Sequence, residues 1–130
     1  TLSGAIAVET MREVDHPLVV AITEQIARDE ARHTRLGWLY FEWAAEALTE
    51  SERARLGEIA RQEIEKLPAQ WRSSASVLRD GLTSNGHRIQ DVRELGWMES
   101  QHLVEVVSRC LREDIISPLA KLGIKVETIA

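Results

Sequence analysis

The chain has 130 residues, a net charge of −5 at neutral pH, 44% hydrophobic and 28% charged residues, and one cysteine. That length supports one domain with a core of its own, and the acidic balance argues against a nucleic-acid surface, which needs a basic stripe. No apolar run approaches the ~20 residues that cross a bilayer, no secretory signal opens the sequence, and Cys110 has no partner for an internal disulfide. The expectation is a soluble protein in a reducing, cytoplasmic setting, without nucleic acid or membrane as a partner. Because it begins with Thr1 and runs at once into an amphipathic pattern, the chain reads as a processed form or as the back part of a longer protein.

Residues 2 to 14 read as a first helix, with Leu2, Ile6, Ala7, Met11 and Val14 recurring at three- and four-residue steps. "VDHPL" ends it, since Pro17 disfavours helical geometry at His16 and Asp15 can cap the next helix. A long second helix runs from about Pro17 to Leu48, with a stripe of Ile22, Ile26, Glu30, His33, Gly37, Tyr40, Ala44 and Leu48. Thr49 and Glu52 have capping-box spacing and start a third helix through "SERARLGEIARQEIEKL", which Pro68 closes. Leu56, Ile59, Ala60, Glu63, Ile64 and Leu67 mark its inner side, and the charge run on it reads as a solvated face laced with Glu–Arg pairs. "AQWRSSASVLRDGL" is a shorter helical piece and "TSNGH" a loop of turn formers. A final helix starts near Trp97 or Ser100 and breaks at Pro118, leaving a tail with a stop at Gly123. The fold class is all-α: one domain over residues 1–130, made of a long hairpin (1–48) and a helical extension (49–130).

The second helix carries charge in the middle of its apolar stripe, at "IARDEARHTRLGW". Buried charge is costly without a partner. Glu30 and His33 are three residues apart, about 300° of rotation, so both project from one side of the helix one turn apart. A carboxylate and a neutral imidazole so placed can hold one metal ion together. The competing reading is a face rotated outward, with a solvated Glu and a packed or capped His.

Asp29-Glu30-Ala31-Arg32-His33, followed by "RLGW" and "WLYFEW", resembles the D-E-x-R-H form of ferritin-like di-metal carboxylate proteins. The resemblance covers residues 1–48 well and "LREDIISPLAKLGI" loosely. It implies a bundle half equivalent to helices three and four, with Glu30 and His33 as ligands of iron or manganese. It also implies Asp29 as acceptor for a metal-bound His on a neighbouring helix and Arg32 as partner of acidic groups around the site. The implied activity is oxygen-dependent oxidation, with the substrate unspecified. A full site needs a second E-x-x-H and two more glutamates. The hairpin should set Glu30 opposite Thr1 or Leu2, which puts the missing glutamate at or before the start of the chain; Glu9, opposite about Thr23, is not assigned as a ligand.

The alternative is a non-catalytic helical module that oligomerises through the hairpin and retains an incomplete metal site; the partner is then a second copy rather than an upstream segment. A DNA-binding helical regulator rests on the helical pattern alone, and the charge opposes it. Tyr40 reads as a core aromatic, His102 as a satisfied, partly buried histidine, His16 and His87 as solvated, and Cys110 as a small core residue. Trp38, Trp43, Trp71 and Trp97 read as helix-packing or interface residues.

Overall fold

A computed structural model describes residues 1–68, 71, 87–98 and 100–127. The elements are α1 (Leu2–Glu13), α2 (Pro17–Ala45), α3 (Glu50–Glu65), α4 (Ile89–Arg93), α5 (Ser100–Cys110), a π-helical segment (Leu111–Ile116) and α6 (Ser117–Lys121). No strand occurs among the described residues, and the chain is mostly helical there. The expected helical piece from residue 69 to 82 and the loop from 83 lie outside the described residues, apart from Trp71, whose N–H bonds the Pro68 carbonyl, and the exposed His87.

Local signals translate directly into element ends. Pro17 opens α2, where its missing N–H is one of the unsatisfied first-turn groups anyway, although the cap residue is His16 and no side chain caps it. The expected role for Asp15 is therefore not taken up. Thr49 and Glu52 form the full capping box at the start of α3, Glu52 accepting from the Thr49 N–H at 2.8 Å and Thr49 Oγ1 accepting from the Glu52 N–H at 3.3 Å. Gly123, with φ +77, ends α6. The N–H of Ile124 bonds the Leu119 carbonyl and that of Gly123 bonds the Ala120 carbonyl, a Schellman closure that drops Ile124 into the core.

Two expectations change. Pro118 does not break the last helix: helical backbone continues through it to Lys121. The turn ahead widens into the π segment, the kind of local change that accommodates a residue with no N–H and a ring that crowds the preceding turn. The face of α2 turned to α1 is also only in part the stripe read from the sequence, of which Glu30, Ala44 and Leu48 are half-buried. Gly4 meets Glu30, where a Cβ on Gly4 would sit 3.3 Å from that of Glu30, and Thr1 Oγ1 lies 3.4 Å from Thr34 Oγ1. The covered positions are thus Thr23, Ala27, Glu30, Thr34, Trp38, Phe41 and Ala45, while Ile22, Ile26, His33, Gly37 and Tyr40 are exposed. Small residues at Gly4, Ala27 and Thr34 let the two helices approach there; period alone does not choose between two apolar faces of one helix.

The core is concentrated away from α2. Val106, Val107 and Cys110 on α5, with Ile124 of the tail, are the most deeply buried side chains, joined by Ala7 and Val14 from α1 and Leu119 from α6. α1 packs on both α2 and α5. The tail crosses α3 at Gly57, where an added Cβ would lie 2.0 Å from the Lys125 carbonyl oxygen, so only glycine fits. Arg53 of α3 donates to the carbonyls of Ala45 and Leu122, at the ends of α2 and α6.

Candidate functional site

Glu30 sits near the first turn of α1, as the hairpin register requires: the Thr1 amino nitrogen is 4.0 Å from Glu30 Oε2, with that side chain about one-third exposed. His33, one turn on, is exposed. Asp29 is satisfied from its own helix, accepting from Gln25 Nε2 at 3.1 Å and lying 3.8 Å from Arg32 Nη1. The wheel explains this partition. At about 100° per residue, Glu30 lies at the edge of the face covered by α1 and His33, about 60° round the helix, at the edge of the exposed apolar face. The structure thus keeps the two ligand candidates on adjacent turns but seals neither from water. Among the described residues no three His, Cys, Asp or Glu side chains come together as a metal-holding group. Two donors from one chain do not complete a di-metal site.

A second cluster lies across the hairpin and was not visible in the sequence. Glu9 is buried on α1, and its Oε1 accepts from Arg109 Nη2 of α5 at 2.5 Å and from Arg12 Nη1 at 2.9 Å. Burial pushes the Glu9 carboxyl upward, but the hydrogen bonds and charges of Arg109 and Arg12 outweigh it and hold the group below its ordinary value of 4.5. A carboxylate so occupied by two guanidinium groups is a buried, paired anion that ties α1 to α5. A hundred residues separate Glu9 from Arg109, so no local spacing announces the pair.

Between α1, α2, α5 and the π segment lies an open cleft of about 740 Å³, walled by Glu9, Glu30, Arg12, Arg35, Arg109 and Asp114 among others. His33 is not among its lining residues. Acidic and basic groups alternate around it, which gives no single sign of charge for a ligand to read. Cys110, on the same side, is held up at about 11 by burial first and then by Asp114, leaving a protonated core thiol instead of a nucleophile.

The remaining candidates divide between core and surface. Cys110 is a core residue as expected, and His16 and His87 are exposed. Tyr40 is not a core aromatic: it is 63% exposed, beside Trp43 with ring centroids 5.8 Å apart. His102 is partly buried as expected, but its Nε2 lies 3.3 Å from Glu13 Oε1 without the alignment of a hydrogen bond. Trp38 packs on Phe41 at 5.9 Å, whereas Trp43 and Trp97 stand largely in solvent.

No protein-family model matches this chain, and neither any curated protein nor any solved structure does. Among the described residues no helix is long and apolar enough to cross a membrane.

Proposed function

We propose that this chain is one half of a four-helix bundle of the ferritin-like di-metal carboxylate type, with Glu30 and His33 as its metal donors. Asp29 is the acceptor that orients a donor histidine on a facing helix, and Arg32 balances the acidic groups around it. The observation that carries the reading is that Glu30, at the edge of the face of α2 covered by α1, and His33, at the edge of the exposed face, flank the arc between those faces from adjacent turns. In a four-helix bundle each helix has two neighbours, and the arc between them faces the axis, where such proteins gather their donors. The rest of the site then comes from a second hairpin laid on the exposed face, from an upstream part of the same protein or from another chain. A bound iron or manganese pair in a carboxylate-rich site supplies oxidation by dioxygen, and this chain's part is to hold two donors one turn apart.

The exposed apolar side chains of α2 also favour a second reading, a helical assembly module with no catalysis in which Glu30 and His33 are residual. Metal analysis separates the two. After loading with ferrous iron and removal of excess, the chain retains iron, Glu30→Ala and His33→Ala lose it, and Glu9→Gln keeps it. Unchanged iron in both ligand variants would end the metal reading and leave the module.

A further inference from the structure

Leu18, Ile22, Ile26, Leu36, Tyr40 and Trp43 of α2 are each between 44% and 75% exposed, on one side of the helix about 120° from the face that α1 covers. Scattered apolar residues on a surface are ordinary, but two aligned apolar runs along one side of a 29-residue helix, separated by Asp29 and His33, mark an interaction face. At roughly 100 Å² each these side chains approach the ~800 Å² per partner that a stable specific interface buries.

The order of residues along the stripe says what fits it. Taken outward from the level of Ala31, the stripe reads Asp29 on one side and His33 on the other, then Ile26 and Leu36, then Ile22 and Tyr40, with Leu18 and Trp43 at the ends. It is symmetric in spacing, apolar against apolar, and opposite in character at its polar centre. We infer that a second copy of this chain docks antiparallel along α2, centred at the level of Ala31. Ile22 then meets Tyr40 of the other copy, Ile26 meets Leu36 and Asp29 meets His33, each pair made twice about a two-fold axis. A parallel arrangement would set Asp29 on Asp29, a like-charge contact that opposes pairing. The antiparallel arrangement also gathers Glu30 and His33 of both copies within about 3 Å of the axis, measured along the helix. The site that one chain leaves incomplete thereby gains a second E-x-x-H. This inference rests on the half-bundle part of the reading above, and names the second hairpin.

The test is sedimentation across a dilution series of the whole 130-residue chain, with iron content measured on the same samples. The expected result is a dimer. Ile26→Asp and Leu36→Glu, both at exposed positions and checked for native helicity by circular dichroism, weaken it on the order of a hundredfold or more. The reversed pair Asp29→His with His33→Asp retains it. Register is read by oxidation in a Cys110→Ser background: chains with Ile22→Cys cross-link to chains with Tyr40→Cys and not to each other. A monomer at all concentrations overturns the proposal and assigns the face to another occupant, such as an upstream segment. A dimer indifferent to Ile26→Asp and Leu36→Glu, or one that cross-links Ile22→Cys to itself, overturns it equally. An iron-binding monomer defeats the dimer while sparing the metal reading; a dimer without iron does the reverse.

Discussion

The two ends of this molecule solve the packing problem to different degrees. From α5 to the tail, Val106, Val107, Cys110, Leu119 and Ile124 are all buried, and the chain closes on itself with a Schellman turn. α2 is more than twice as long as α5, yet Ala45 is its sole buried residue. An isolated helix gains little from propensity and depends on packing for its stability. A long helix so thinly covered on one side, and lined with apolar residues on another, gains far less from burial than the short helices around Ile124 do. The C-terminal part has a closed core, and the hairpin leaves much of its apolar surface exposed.

The sharpest way to break that contrast is to cut the same kind of side chain from each part. Ile124→Ala removes a side chain with no exposed surface and is expected to cost about 2–5 kcal/mol. Leu36→Ala, at a position 70% exposed, should change the stability of the monomer by about 0.5 kcal/mol or less. Urea unfolding of both variants at a concentration where the chain is monomeric decides it; equal losses would mean that α2 is covered in solution.

The Glu9–Arg109 contact joins the two parts, since it ties α1 to α5. Arg109→Ala is expected to cost about 1–2 kcal/mol by urea unfolding. One partner, Arg12, remains for the buried carboxylate, and Arg109 is itself half exposed, which lowers the figure below that for a fully buried pair. The sign of the pH effect is set by the lowered carboxyl. Its contribution is fully present above the unfolded value near 4.5 and is lost as pH falls through the folded value beneath it. Thermal melts between neutral pH and pH 3 should show that loss, and Glu9→Gln should flatten the acid limb; an unchanged profile would deny the pair its role.

A smaller loss than at Ile124 or Arg109 belongs to the junction between the parts. Thr49→Ala removes the capping box of α3 and is expected to cost about 1 kcal/mol, read as a lower melting temperature. Thr49→Ser should retain nearly all of the wild-type value, because it keeps the accepting oxygen.

Legibility in the sequence tracks the range of the interaction. The break between α1 and α2 at Pro17, the capping box and the Gly123 stop depend on residues within one turn of each other, and they were readable, whereas α2 ends at Ala45 and not at the expected Leu48. Pro118 misled because its effect depends on the π segment before it, and the short helix α4 has too few residues to display a period. The covered face of α2 was ambiguous for a different reason: the helix has apolar residues on two sides, and only the partner chooses. Glu9 with Arg109, Gly57 with Lys125 and Arg53 with Leu122 are pairings across long stretches of chain, which no local spacing encodes. Of the candidate site, the E-x-x-H spacing and the i−4 and i+3 partners of Asp29 are local, while the exposure of His33 and the approach of Thr1 to Glu30 required the fold.

Arg53 has a consequence for how order is shared. One guanidinium serves the last carbonyls of two helices that have no backbone hydrogen bond to each other, at Ala45 and at Leu122. Helix ends normally fray independently, each at its own small free-energy cost. Here, fraying of either end deprives the side chain of one acceptor and frees it to leave the other. The far end of the hairpin and the closing turn of the core therefore share one donor, although more than half the sequence lies between them.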